Sequence, residues 1–286
     1  MTANTISTPP NPFIILHRTP QILVVQSVAG AFDKFAPDDI YGQFNLALHV
    51  KDDPKQVLTH RAAFLRMLHT HGVRAVHWLN QTHSDAVFDV DQHPPSIHAQ
   101  SADALVSTQV GQALAIMTAD CVPIVIFADG SDEPNAPIAC IHAGWQGLTN
   151  GIIKNTLIQM RQKQPQLTYR AIIGAHIRQS SYQISTTLAD TIIKSVQQKA
   201  LTALDETALH HTIIKDSTDD GKCFIDLNQL ARLQLSHLGV AVADDEVPCT
   251  YQDARFYSYR AQTHANKPST GRMAMVVVKL PPHNHS

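Results

Sequence analysis

Short apolar runs rich in β-branched residues occur along most of the chain, and their clustering constrains the fold more than any other feature. Each run has the length and composition that are typical of a β-strand. Several runs follow one another with no helical pattern between them, which favours an α+β fold over strict alternation of strands and helices. The predicted strands are residues 22–28, 73–79, 86–90, 113–117, 124–127, 138–142, 170–173 and 273–278.

Helical spacing of apolar residues appears in four segments between the predicted strands. The first begins with Pro54 after two acidic residues, and the last is followed by Gly239, a residue common just beyond a helix C-terminus. We therefore expect mixed β-sheets flanked by helices. The predicted helices are residues 54–68, 148–162, 188–204 and 227–238.

No linker-like stretch, low-complexity block or internal repeat divides the chain. The sequence predicts one domain over residues 13–281, because its 44% hydrophobic content is enough for a large core. Residues 1–12, rich in Thr, Ser, Pro and Asn, are expected to be a flexible lead-in, and residues 282–286 a tail.

The charge balance argues against nucleic acid and membrane surfaces as partners. The formal net charge of -2 provides no broad basic field, and no run of Lys and Arg is present. The N-terminal residues have neither the basic start nor the apolar stretch of a secretory signal, and the four cysteines form no CxxC pair. We expect a cytoplasmic protein with reduced thiols, either a monomer or a weak homo-oligomer.

Three segments interrupt apolar runs with reactive side chains: WLNQTHSD at 78–85, MTADCVPI at 117–124 and IHAGWQG at 141–147. In each, a predicted strand ends in a turn that presents one residue, namely His83, Cys121 or His142. Thiolate and imidazole suit zinc, and three protein ligands would leave a fourth position open. The spacings of 38 and 21 residues are not those of a zinc finger. The residues alone are therefore compatible with two interpretations. They form either a metal site or a buried cysteine beside two hydrogen-bonded histidines.

Taken in order, the segments resemble the signature of the laccase-domain family of purine nucleoside phosphorylases. This family is also described as multicopper polyphenol oxidase-like and includes the bacterial peptidoglycan editing factor. Further motifs carry the resemblance over residues 12–281. They are NLALH at 45–49 with DDP at 52–54, ADALV at 102–106, TADCVP at 118–123, HAGW at 142–145, CT at 249–250, FYSYR at 256–260 and TGRM at 270–273.

The resemblance implies that His83, Cys121 and His142 are metal ligands, with zinc as the cofactor and copper as the alternative. It also implies cleavage of adenosine or inosine by phosphate, which releases the base and ribose 1-phosphate. Deamination of adenosine and phosphorolysis of methylthioadenosine are likewise attributed to the family. The implied partners are therefore a purine nucleoside and phosphate.

Around the metal, we expect one residue that moves protons and several that contact the substrate. Asp120, next to Cys121, is the candidate for moving protons, since zinc deaminases use a carboxylate for this step. Alternatively, it caps a turn or orients His83. Arg272 is expected to contact phosphate or sugar, unless it pairs with a carboxylate. The other predicted substrate contacts are Asn45, Gln81 and Gln146, whereas Arg61 is expected on a solvated helix face.

The turn at 144–147 leads into a predicted helix, whose first N–H groups could hold an anion, although a tight turn by itself also favours glycine. Here the chain departs from the family pattern. Gln146 stands where the family usually has Arg or Lys, and Ser181-Tyr182-Gln183 replaces a common Cys-Tyr-Glu. A positive charge and a carboxylate are thus missing relative to the family pattern. This difference affects the expected substrate and leaves the expected metal ligands unchanged.

Two other functions compete with a phosphorylase. Two histidines and a cysteine are also the blue-copper ligand set, so an oxidase acting on phenols is the first. A multicopper oxidase, however, needs paired HxH motifs and a cysteine flanked by histidines, whereas Asp120 and Val122 flank Cys121. The second is a metal-binding regulatory protein without turnover, which the departures at Gln146 and Gln183 favour.

Overall fold

A computed structural model describes residues 12–93, 98–130, 133–244 and 246–281 of the chain. The predicted tail and, apart from residue 12, the predicted lead-in lie outside these residues. The strands are β1 (Phe13–Arg18), β2 (Ile22–Ser27), β3 (Ala75–His77), β4 (Leu79–Asn80), β5 (Val87–Asp89), β6 (Gln100–Ser101), β7 (Ala104–Ser107), β8 (Gln112–Thr118), β9 (Val122–Ala128), β10 (Ile138–Ala143), β11 (Tyr169–Ile173), β12 (Gln183–Ser185), β13 (Ile214–Asp216), β14 (Lys222–Ile225), β15 (Ala241–Val242) and β16 (Met273–Lys279). The α-helices are α1 (Pro54–His69), α2 (Trp145–Asn150), α3 (Ile152–Lys163), α4 (Thr186–Gln198), α5 (Glu206–Ile213), α6 (Leu227–His237) and α7 (Tyr259–His264).

Two mixed sheets form the centre of the molecule. The five-stranded sheet has the order β1-β2-β16-β8-β3, in which β3 runs parallel to β8 and the other neighbours are antiparallel. The six-stranded sheet has the order β15-β11-β9-β10-β7-β5, with parallel pairs at its two edges. A three-stranded sheet, β12-β14-β13, and the pair β4-β6 are peripheral.

The two large sheets pack face to face, with several helices on the outer face of the six-stranded sheet and one on the outer face of the five-stranded sheet. In β9, Val125 and Phe127 point toward the five-stranded sheet, while Ile124 and Ile126 point toward the helices. This division follows from the alternation of side chains along a strand. Helix α1 covers the outer face of the five-stranded sheet through Phe64 and other apolar residues. Burial on both faces explains why the strands are continuously apolar in sequence.

The α+β prediction is confirmed, but several element boundaries differ from those predicted. The predicted helix 148–162 is two helices, because Gly151 adopts a left-handed conformation with φ of 91° between α2 and α3. The predicted strand 73–79 is divided into β3 and β4, and the predicted helix 188–204 ends at Gln198. Helices α5 and α7, with six to eight residues each, were not predicted, since each has too few turns for a clear apolar periodicity. No helix in the described part of the chain combines the length and apolar composition needed to cross a bilayer.

Candidate metal centre and active-site cavity

The structure brings His83, Cys121 and His142 together at one end of the six-stranded sheet. Their ligand atoms all lie within 4.8 Å of one another, and Cys121 Sγ is 4.0 Å from His83 Nε2. The two imidazole rings are 4.7 Å apart between centroids and nearly perpendicular. In the described residues, this is the one cluster of three or more His, Cys, Asp or Glu side chains close enough to share a metal ion.

Sheet pairing explains how distant parts of the sequence converge here. His142 is near the end of β10, where it is paired with Pro123 of the antiparallel neighbour β9. Cys121 directly precedes β9, so it lies beside His142 at the same end of the sheet. His83 comes from the loop between β4 and β5 and closes the cluster from the more exposed side.

Asp103, which sequence reasoning did not single out, organises both histidine segments. It directly precedes β7, the other neighbour of β10, and its Oδ1 accepts a hydrogen bond of 2.8 Å from His142 Nδ1. Oδ1 also accepts from the backbone N–H of His83 at 3.0 Å, and Oδ2 accepts from both the backbone N–H and the hydroxyl of Ser84. Burial alone would raise the pKa of the Asp103 carboxyl, but the hydrogen bonds from His142 and Ser84 hold it well below its usual value. The carboxylate is therefore ionised at neutral pH.

The turn that presents Cys121 depends on a strained Asp120. Its φ of 98° lies in the left-handed region, which is costly for a residue with a Cβ. The buried carboxylate stabilises this turn by accepting hydrogen bonds from the Thr250 and Ser258 hydroxyls and from the backbone N–H of Arg260, at 2.6, 3.0 and 2.7 Å. Burial raises the pKa of Asp120, and the same hydrogen bonds partly offset that effect. Asp120 was predicted either to move protons, or to cap a turn or orient His83. These contacts favour stabilising the turn, and none of the three hydrogen bonds goes to His83.

The electrostatics of the cluster suit a thiolate ligand. Burial alone would raise the pKa of the Cys121 thiol, but His142 and His83 lower it to about 6. Burial likewise lowers the pKa of His142, while Cys121 and Asp103 raise it to about 9. A thiolate and two imidazoles form a donor set that zinc prefers. Around one zinc ion such S and N atoms are about 3.6 Å apart, close to the 4.0 Å between Cys121 Sγ and His83 Nε2.

The cluster opens into a cavity of about 480 Å³. Gln81, Gln146 and Arg272, three of the predicted substrate contacts, line this cavity together with Asp120. The Gln81 side-chain amide is also fixed by the backbone of Met117, with which it makes two hydrogen bonds. Aromatic and cationic side chains not singled out from the sequence complete the wall: Trp145, Tyr182, Tyr259, Arg260 and His49.

Asn45, the fourth predicted substrate contact, is fully buried and is not among the cavity-lining residues. Its side-chain oxygen accepts a 2.9 Å hydrogen bond from the backbone N–H of Arg272, and its amide donates to Asp52. Asn45 therefore supports the segment that carries Arg272. Arg61 is also not where it was expected, because it turns inward from α1, stacks over Trp78 and donates to the backbone carbonyl of Leu46.

A family model described as multi-copper polyphenol oxidoreductase laccase matches residues 36–279. The chain belongs to this family. It is 32% identical to a purine nucleoside phosphorylase of Corynebacterium glutamicum, over 83% of this chain and 87% of the relative, and 31% identical to one of Mycobacterium tuberculosis, over 83% and 85%. Protein NMB0706 of Neisseria meningitidis superposes with a TM-score of 0.74 at 25% identity, covering 95% of this chain and all of that one. YlmD from Geobacillus stearothermophilus has the same fold, with a TM-score of 0.72 at 20% identity over 96% and 98% of the two chains.

The family match confirms the resemblance drawn from the motifs. The structure shows where the two expected departures from the family pattern lie. Gln146 is exposed and lines the cavity, so the departure expected at this position lies at the site itself. Gln183 instead donates hydrogen bonds to Ser217 and Asp219 and is not a cavity-lining residue. Only its neighbour Tyr182 reaches the cavity. Of the two positions, 146 is therefore the one in the cavity wall.

Proposed function

We propose that this chain cleaves purine nucleosides with phosphate at a zinc centre held by His83, Cys121 and His142. The observation that carries the proposal is the opening of this ligand cluster into a cavity with both aromatic and cationic walls. The names of the relatives, which are 29–32% identical, support the same reaction class. Adenosine and inosine are the proposed nucleosides, and methylthioadenosine is a further candidate.

Each group in the cavity has a task in this reaction. When bound, zinc would supply a Lewis acid next to the substrate. The rings of Tyr182, Tyr259 and Trp145 line the cavity and would offer stacking surfaces to a purine, although Arg260 lies over one face of Tyr182. Arg272 would offer donors to an anion. In the reaction, the bond from C1′ of ribose to the purine nitrogen breaks, and a bond from C1′ to a phosphate oxygen forms. The base leaves with the electron pair and takes up a proton.

The positions of the polar groups suggest how the cavity would promote this exchange. Binding both reactants in one cavity would convert a bimolecular reaction into one between oriented neighbours. Asp103 would hold His142 with Nε2 directed to the cluster, because Nδ1 is occupied by the carboxylate. Asp120 would act indirectly, since its carboxylate is used to hold the turn that presents Cys121.

Chromatography of the purified, zinc-loaded protein incubated with adenosine, inosine or methylthioadenosine tests the proposal. We expect the free base and the sugar 1-phosphate to appear only when phosphate is present. Inosine formed from adenosine without phosphate would identify a deaminase instead. Oxygen uptake with a phenol, without nucleoside conversion, would identify a copper oxidase. No product from any of these substrates would favour a metal-binding protein without turnover.

A further inference from the structure

Arg272 presents a half-buried guanidinium to the cavity with no carboxylate paired to it. Its backbone N–H is anchored by Asn45, and its Nη1 donates to the carbonyls of Thr270 and Gly271 at 2.9 and 3.0 Å. These bonds fix the plane of the side chain. The hydrogen bonds described for this guanidinium use Nη1 alone, and no ion pair in the described residues includes Arg272. Nη2 and Nε therefore remain as donors to a ligand.

His49 lines the same cavity as Arg272 and is influenced by the charges of Arg272 and Arg61. Burial lowers the pKa of its imidazole, and Arg272 and Arg61 lower it further, as do His83 and His142. Two of these groups, Arg272 and Arg61, carry permanent positive charges. Arg61 is fixed in place by Leu46 and Trp78, so it cannot swing away into solvent without losing those contacts.

The carboxylates near Arg272 and His49 already accept hydrogen bonds from other groups. Asp120 accepts hydrogen bonds from Thr250, Ser258 and Arg260, and Asp103 accepts from His142, His83 and Ser84. Asp52 accepts from the Asn45 amide. Asp120 and Cys121 still partly balance Arg272 at a distance. A partly desolvated cation without a contacting counter-ion is costly, and an anion bound from solvent would remove that cost.

We propose that Arg272 and His49 form a subsite for inorganic phosphate beside the metal ligands. This assignment rests on the proposed function, in which phosphate is the second reactant. A guanidinium can donate two parallel hydrogen bonds to a phosphate, and the neutral imidazole can donate one more. In this subsite the positive charge comes from Arg272 in the C-terminal segment, so residue 146 is not needed to supply one.

Titration calorimetry of the zinc-loaded protein with inorganic phosphate alone tests the subsite. In Arg272→Gln, we expect the Kd for phosphate to rise roughly tenfold or more, the loss typical of a charge-assisted contact. Arg272→Lys keeps the charge but lacks the two parallel N–H donors of the guanidinium, so we expect a smaller rise in the Kd for phosphate. His49→Gln is a second variant, and it leaves the core intact because His49 is not one of the buried core residues. The control is Arg170→Gln, an exposed arginine paired with Asp129, which is expected to leave the Kd unchanged.

The outcomes separate this inference from the proposed function. Unchanged phosphate affinity in both Arg272→Gln and His49→Gln overturns the subsite, even if the unmodified enzyme cleaves nucleosides only with phosphate. Phosphate binding that is lost in these variants supports the subsite, even if no nucleoside is cleaved. Adenosine 5′-monophosphate is the second titrant. If it binds more tightly than phosphate and its binding is also lost in Arg272→Gln, a nucleotide phosphoryl group is the occupant and the assignment to free phosphate is overturned.

Discussion

His142 Nδ1 donates a 2.8 Å hydrogen bond to Asp103 Oδ1, and this contact leaves Nε2 as the nitrogen available to the metal-ligand cluster. The carbonyl of Asp103 also accepts from the backbone N–H of His142 at 2.8 Å. One residue thus fixes both the ring and the backbone of a ligand. Because the same carboxylate holds the backbone of His83, two ligands from distant segments share one support.

Asp103→Asn is predicted to weaken zinc binding by about 10- to 100-fold, which is the usual effect of removing a group that orients a ligand. The amide has one oxygen and cannot accept from His142, His83 and Ser84 together. Competition with a chromophoric chelator measures the affinity. The matched control is Asp91→Asn, because Asp91 is a similarly bonded carboxylate that serves Ser107, Thr108 and Lys163 instead of the ligands.

The control distinguishes support of the ligands from general stability. Both substitutions remove a carboxylate from a hydrogen-bonded network, so both are expected to lower the unfolding temperature. Only Asp103→Asn is expected to change zinc affinity. Equal zinc affinities for the two variants would contradict the role assigned to Asp103.

Cys121→Ala is predicted to lose both bound zinc and nucleoside cleavage, because two imidazoles are too few protein ligands for a stable zinc site. Elemental analysis of the purified variant measures the metal. Cys223→Ala is the control, since Cys223 is a buried thiol in β14 away from the cluster. Full zinc occupancy in Cys121→Ala would show that the thiol is not a ligand.

Gly144→Ala tests how tightly the cluster is packed. Residue 144 has φ of -72° and ψ of 172°, which alanine adopts freely. A Cβ there, however, would lie 3.1 Å from Cys121 Sγ and 3.3 Å from His83 Cδ2. We expect zinc affinity or turnover to fall on the order of tenfold with little change in the unfolding temperature, since small displacements of reacting groups are costly. Unchanged affinity and turnover would mean that the cluster can shift at no cost.

Clustered strand-like runs predicted the fold class, and the three motifs predicted that His83, Cys121 and His142 lie together, because each reactive residue lies at or shortly after the end of a strand-like run in the sequence. They could not identify Asp103, which is 20 residues from His83 and 39 from His142. Only sheet pairing makes these residues neighbours. One signal was available, since an aspartate at the edge of the apolar run ADALV is costly to bury without a partner. The predicted positions of Asn45 and Arg61 were wrong for a related reason. Asn45 accepts a hydrogen bond from the Arg272 backbone and Arg61 stacks over Trp78, and no local sequence pattern shows such contacts.

Finally, His176 is predicted to make the protein sensitive to acid. It is fully buried, its Nδ1 donates to the Gly174 carbonyl at 2.8 Å, and its Nε2 has no partner among the described residues. Burial lowers its pKa from 6.5 to about 4. Between these values, the unfolded chain binds the proton and the native protein does not, so stability falls as pH falls from 6.5 toward 4. From pH 7 to pH 5, this single group should remove about 2 kcal/mol.

Urea unfolding of the wild-type protein and of His176→Asn at pH 7 and pH 5 measures this contribution. The asparagine amide can replace the Nδ1–H donor but does not titrate, so the variant should lose about 2 kcal/mol less than the wild type over this range. Loss of zinc in acid affects both proteins alike and cancels in the comparison. Equal losses of stability in the two proteins would show that His176 titrates in the native state as it does in the unfolded chain.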